Sequence, residues 1–223
     1  MSPPVEYQKK IAKNLAWEIF DQIHPLLRQG QVDEAFAVLR RRGVGPKTIY
    51  GTNGRVFCKL IIDYANEETG ALKAAYLKLM RGLIDAGVDV DRQDRYGQTL
   101  LSEALWSRDV DVCRLLLERG ASPNLPVNEY GETPLYYAFK AFDANDPPRP
   151  QIAARLLEAL ILAGADVDVP LVSRRSVATL EHGTPRLKTA RQFVESLPED
   201  DLRRRTLFAA LEKRDAANQP TKN

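Results

Sequence analysis

The chain has 223 residues, 44% of them hydrophobic and 28% charged, and a formal net charge of +2. This is a globular composition with enough apolar material for one domain of substantial core, or for a short repeat array. No stretch approaches the roughly 18 consecutive apolar residues of a membrane helix, and the opening MSPPVEYQKK lacks the basic-then-apolar order of a secretory signal; no membrane attachment is expected, and the expected location is the cytoplasm.

The net charge hides an uneven distribution. Residues 1–45 carry seven Lys/Arg against five Asp/Glu, residues 46–169 carry 14 against 18, and residues 170–223 carry 11 against seven. A nucleic-acid binder concentrates basic side chains in a stripe, whereas here the middle is acidic and the runs Arg40-Arg41-Arg42, Arg174-Arg175 and Arg203-Arg204-Arg205 are short and dispersed. They read better as solvated helix ends, the first of them placed where cations complement the negative end of a helix dipole. The two cysteines, Cys58 and Cys113, lie in the apolar runs RVFCKLII and VDVCRLLL, where a small thiol fills core. Neither a disulfide framework nor a metal site is expected, because His24 and His182 stand far apart with no ligand-like spacing.

In chain order, LAWEIFDQIHPLLRQG and QVDEAFAVLRRRG read as a helix pair with a short turn at Gly30, assigned to residues 1–45 as an N-terminal capping repeat. The next unit, 46–90, places helix RVFCKLII and helix ALKAAYLKLMRGLIDAG on either side of DYANEETG, which is expected to be an inserted loop near 63–70. Residues 91–125 form the cleanest unit. Tyr96-Gly97 makes a turn; Thr99 caps a short helix with Leu100, Leu101, Ala104 and Leu105 inward; a second helix follows with Val112, Leu115 and Leu116 at i, i+3 and i+4.

The unit 126–169 repeats that grammar, with a turn at Tyr130-Gly131, Thr133 as cap, Pro134 at the first helical position, and Leu135, Ala138 and Phe139 inward. A Pro-rich loop near 142–151 then precedes a helix carrying Ile152, Leu156, Leu157, Leu160 and Ile161. After a long mixed connection, LKTARQFVESL and EDDLRRRTLFAALEKR give two more helices within 170–214, a C-terminal cap, and 215–223 reads as a frayed tail.

The units share one period. Gly43, Gly87, Gly120 and Gly164 are separated by 44, 33 and 44 residues, and four residues before each lies Leu39, Leu83, Leu116 or Leu160. Gly54 to Gly87 and Gly131 to Gly164 each span 33 residues against 23 for Gly97 to Gly120, so alternate units are lengthened between their paired helices. A unit of this length cannot bury its apolar face alone, so neighbours stack into a solenoid.

The strings GQTLLSEALWSRDVDVCRLLLERGASPN and GETPLYYAFK…ARLLEALILAGADVDVP resemble the ankyrin repeat, with its Gly-x-Thr-Pro-Leu-x-x-Ala first helix and Leu-Leu-x-x-Gly-Ala helix end. The matching residues are Gly97, Thr99, Leu101, Ala104, Leu116, Leu117, Gly120 and Ala121, then Gly131, Thr133, Pro134, Leu135, Ala138, Leu160, Ile161, Gly164, Ala165 and Asp166. GQVDEAFAVLRRRG also looks like half a tetratricopeptide repeat, but the clean unit lacks that family's Trp/Leu-Gly/Tyr pattern and leaves room for a hairpin between units. The resemblance implies an all-α helix-turn-helix solenoid of four to five repeats with short β-hairpin or loop connections.

No catalytic constellation is found. Ser107-Arg108-Asp109 and His182-Gly183-Thr184 are isolated, GVGPKTIYGTNG lacks the Lys-Ser/Thr ending of a phosphate-binding loop, and the carboxylates Asp63, Glu67-Glu68 and Glu199-Asp200-Asp201 suit positions near helix amides. No cofactor is implied. The resemblance implies instead a protein-binding module, monomeric by itself, whose partner sits on the concave face formed by hairpin tips and first helices. The slots exposed there are Arg95, Tyr96, Gln98 and Trp106 in one unit and Glu129, Tyr130, Glu132 and Lys140 in the next. Tyr96 and Tyr130 share one slot beside the turn glycine and fit a structural ladder as well as an anchor. The acidic middle suits a partner with a basic segment. An inhibitor, immunity protein or secreted effector of a microbial system is the alternative, with nucleic-acid binding more remote.

Overall fold

The computed structural model describes residues 5–44, 55–66, 70–94, 97–127, 131–142, 150–171 and 189–218. The chain divides into two compact units, Met1–Asp94 and Arg95–Asn223. All regular structure among the described residues is helical, apart from an isolated antiparallel bridge between Pro170 and Thr189. No helix among them is long and apolar enough to cross a membrane.

The first unit holds α1 (Val5–Arg28), α2 (Val32–Arg41), α3 (Arg55–Asn66) and α4 (Gly70–Asp85). Helix α1 starts ten residues before the apolar pattern that announced it at Leu15. It buries Ile19, Phe20, Ile23 and Leu27, the one-face spacing of an amphipathic helix, and packs on α2, α3 and α4. Helix α2 also packs on α4, where Gly82 lies against the ring of Phe36 and a Cβ would collide with it. A polar link crosses this core. Arg28 Nε donates to His24 Nε2 at 2.9 Å, which leaves the ring proton on Nδ1, and Nδ1 donates to the fully buried Tyr76 hydroxyl at 2.7 Å.

The loop expected near 63–70 is mostly helix. Helix α3 continues through Asn66 and α4 begins at Gly70, so the extra residues lengthen the pair to 12 and 16 residues, against seven and nine in the clean unit. The reason is visible in the burial: Phe57, Leu60, Ile61 and Tyr64 keep helical spacing straight through the start of the supposed loop. The second insertion, near 142–151, lies outside the described residues except at its ends, where α8 starts at Pro150.

The second unit holds α5 (Leu100–Trp106), α6 (Val110–Glu118), α7 (Pro134–Lys140), α8 (Pro150–Leu162), α9 (Ala190–Glu195) and α10 (Leu202–Ala217). The helices stack in two files: α5 packs on α7, and α6 on α8, which in turn packs on α10. The ring of Phe193 in α9 meets Phe139 of α7 edge-on at 5.8 Å, extending the first file. The tail departs from its expected start at 215, because α10 continues to Ala217 through Asp215, Ala216 and Ala217, none of which breaks a helix.

The Leu-to-Gly spacing has a single cause. At each of the four sites the glycine takes a positive φ, its N–H bonds the carbonyl three residues back, and the next N–H bonds the leucine carbonyl: Val44 to Leu39 at 2.9 Å, Val88 to Leu83 at 3.3 Å, Ala121 to Leu116 and Ala165 to Leu160 at 2.9 Å. This helix ending needs a left-handed residue and closes with an apolar contact, which explains why both the leucine and the residue after the glycine are buried each time. Arg108 makes the same ending for α5 at φ 53, in a conformation that L side chains seldom adopt.

Lateral bonds tie successive layers. Asn124 donates from Nδ2 to the Gly164 carbonyl at 3.1 Å and accepts from the Asp166 N–H at 2.8 Å. Four residues after Gly164, as Asn124 is after Gly120, Asp168 accepts from Arg191 Nε at 3.0 Å. On the outermost pair, Lys213 bonds Glu158 at 2.5 Å.

Candidate interaction surface

Caps set the register of the surface. Thr99 and Thr133 accept from the backbone N–H three residues on, at 3.2 and 3.3 Å, satisfying first-turn donors of α5 and α7 and starting both helices at the same point. Five residues after each cap lie Ala104 and Ala138, both with no exposed surface, small enough to let the two helices pack closely. Four residues after each cap stand Glu103 and Tyr137, and seven after stand Trp106 and Lys140.

Those outward positions carry a continuous run of rings. Trp106 is 74% exposed, and its ring centre lies 6.3 Å from that of Tyr137. Tyr137 meets Tyr136 edge-on at 6.1 Å, and Lys140 Nζ stands 5.2 Å from the centre of the Tyr136 ring. Aromatic pairs of this kind contribute about 0.5–1.5 kcal/mol beyond area burial, and an exposed cation over a ring about 0.5–1 kcal/mol, enough to hold the side chains in place.

Of the residues singled out in the sequence, Gln98, Trp106 and Lys140 are exposed, and Trp106 and Lys140 belong to this run. Glu132 is a correction: expected on the surface, its residue is 9% exposed, and its backbone carbonyl accepts from Val127 N at 2.7 Å, which draws that stretch of chain inward. Arg95, Tyr96, Glu129 and Tyr130 lie outside the described residues. Tyr136 and Tyr137 were missed. The signal available was the position of both beside buried Leu135 and Ala138, on the side of α7 that the core does not need.

Two arginines of the last run have structural occupations. Arg203 pairs with Asp201 at 2.9 Å and lies over the Phe193 ring, and Arg204 donates to the carbonyls of Glu195 and Leu197 just past the end of α9. The Arg203 hydrogen bond holds the Asp201 carboxyl below its usual range, the more so because the Arg203 and Arg204 amides of the first helical turn also bond it. Burial pushes the Cys113 thiol well up, with the nearby Asp109 charge adding to the effect, so this thiol is unsuited to nucleophilic chemistry. Among the described residues no group of three or more His, Cys, Asp or Glu could hold a metal.

The layered pairs, the leucine-glycine helix endings and the threonine caps can be set beside known families. A family model described as ankyrin repeats, in three copies, matches residues 69–170. Residues 69–170 are ankyrin repeats. The span takes in α4 to α8, and so contains the whole aromatic run. Among curated proteins, an ankyrin repeat protein of Rickettsia bellii is 39% identical over 64 residues, 26% of this chain and 18% of its own length. Two ankyrin repeat proteins of Fowlpox virus are 29% identical over 119 residues, 52% of this chain and 29% of theirs, and 36% identical over 67 residues, 30% and 13%. The matched segments thus span less than a third of each relative. Ankyrin repeats as a class are protein–protein interaction modules, and the fold is generally non-enzymatic.

Proposed function

We propose that this chain is a non-enzymatic binding module that holds a partner protein on the outward side of α5 and α7 and on the hairpin tips that precede them. The aromatic run from Trp106 through Tyr137 and Tyr136, with Lys140, carries the proposal. Trp and Tyr are the side chains that most often anchor interfaces, since they offer large contact area and a polar edge at low entropic cost. Gln98 is exposed just before the Thr99 cap, and Arg95, Tyr96, Glu129 and Tyr130 belong to the tips by sequence; Glu132 leaves the surface. The acidic balance of residues 46–169 favours a partner with a basic segment, bound by a single copy of the chain.

The test is affinity capture from the native host with wild-type protein and Trp106→Ala, identified by mass spectrometry and followed by titration of the recovered partner. Because Trp106 is mostly exposed, the variant is expected to keep its circular dichroism spectrum and melting midpoint while partner affinity falls by about tenfold or more. Undiminished affinity of a genuine partner would falsify the assignment of this face.

A further inference from the structure

Trp106 stands where the following repeat puts a cation. Trp106 and Lys140 are each seven residues after their capping threonine, and Lys140 places its ammonium over the Tyr136 ring of its own helix. Among the described residues no cation lies over the indole, which Tyr137 meets at a tilt of 59°. Glu103 lies one helical turn before it, on the same side of α5, at the position that Tyr137 occupies on α7. These repeats share the sign of that carboxylate in their sequence: residues 97–171 carry six Lys/Arg against 11 Asp/Glu.

We infer that Trp106 is the seat of an arginine side chain from an extended basic segment of the partner, its guanidinium lying flat on the indole beside Tyr137 and Glu103. The inference rests on the binding reading above and adds the chemistry of the ligand. Arginine fits better than lysine for two reasons. The site is open and planar, which suits a flat ion that stacks; and a guanidinium is more weakly hydrated than an ammonium, so it loses less when laid against an apolar ring face. An acidic or phosphorylated segment meets five excess carboxylates in these repeats, and a purely apolar one leaves that charge unused.

The experiment uses the full chain and three short unstructured peptides of identical length, with arginine, lysine or citrulline at alternate positions, titrated by calorimetry. Citrulline keeps the shape of arginine and removes its charge. Expected is saturable binding of the arginine peptide, weaker binding of the lysine peptide, and about tenfold weaker binding of the citrulline peptide. Trp106→Leu, which keeps an apolar side chain without the π face, should cost the arginine peptide about two- to fivefold and erase its advantage over citrulline at this site, while Trp106→Phe should retain part of it. Equal affinity for arginine and citrulline peptides, or an arginine affinity unchanged in Trp106→Leu, overturns the inference. If the native partner still needs Trp106 in that event, the binding surface stands and only its ligand chemistry falls; if the partner does not need it, both fall. Concentration-dependent dimerisation lost in Trp106→Leu also overturns it, in favour of a second copy as the occupant.

Discussion

The two compact units place their tyrosines differently. In Met1–Asp94 the rings of Phe57, Tyr64 and Tyr76 are wholly buried, filling the space between long helices. In Arg95–Asn223 the space between first helices is filled by Ala104 and Ala138, and Trp106, Tyr136 and Tyr137 are left at the surface or half-buried. Helix starts differ as well. Thr99, Asp109, Thr133, Thr189 and Asp201 each cap a helix of the second unit with a side-chain oxygen, whereas α2 begins at Gln31 with no side-chain cap bond. The first unit is held by bulk, and the second adds a repeated register that buries Ala104 and Ala138 at one position and leaves Trp106 outside.

The largest effect should separate those two uses of tyrosine. Tyr76→Ala removes a fully buried ring and should lower unfolding free energy by about 3–5 kcal/mol, whereas Tyr137→Ala, on a half-buried site, should cost about 1 kcal/mol. Urea unfolding of both variants decides it, and equal losses would dissolve the distinction. Tyr76→Phe sharpens the same point, since it keeps the ring and leaves the His24 Nδ1–H without its acceptor. A loss of about 1–2 kcal/mol is expected, and a loss near zero would show the hydroxyl to be idle. For the second unit, Thr133→Ala should cost about 1 kcal/mol by freeing the Tyr136 amide, with Thr133→Asn restoring most of it; failure of asparagine to rescue would argue that Thr133 acts by packing and not by capping.

Much of this was legible in the sequence because repeated local chemistry reports itself. The Leu-to-Gly spacing was a count of residues before it was a set of hydrogen bonds, and Thr99 and Thr133 were readable as caps from their place ahead of apolar helices. Asp109, set aside in the sequence as part of the isolated Ser107-Arg108-Asp109, caps α6 by accepting from Val112 N at 2.9 Å. What escaped depends on contacts distant in sequence or on faces that composition does not assign. His24 and Tyr76 are 52 residues apart, and nothing local announces their bond. DYAN looked like loop because it interrupts the repeat count, yet Tyr64 extends an apolar face and pulls those residues into α3. Gln98 and Glu132 occupy the same place before their caps, one exposed and one buried, so register by itself does not decide exposure. The exposed slots came from the family resemblance, which points to tips and helix ends and passes over Tyr136 and Tyr137.

The smallest effect concerns the last cap, and it is read through pH. Asp201 accepts from Arg203 N at 2.8 Å and pairs with the Arg203 guanidinium, which keeps its folded-state carboxyl below the ordinary value of 3.8. The unfolded chain therefore takes up this proton first. Its contribution is fully present above pH 3.8 and is lost as pH falls through the lower folded value. Asparagine caps nearly as well as aspartate but carries no charge, so Asp201→Asn should cost only about 0.5 kcal/mol at neutral pH. Other carboxylates titrate in both proteins and cancel in the difference. The melting midpoints of wild type and Asp201→Asn should therefore converge as the solution is acidified below the ordinary carboxylate range. Curves that stay parallel through that range would mean that α10 is seated by Leu207, Ala210 and Leu211 alone, and that the second unit, at its outer edge, is held by bulk as the first one is.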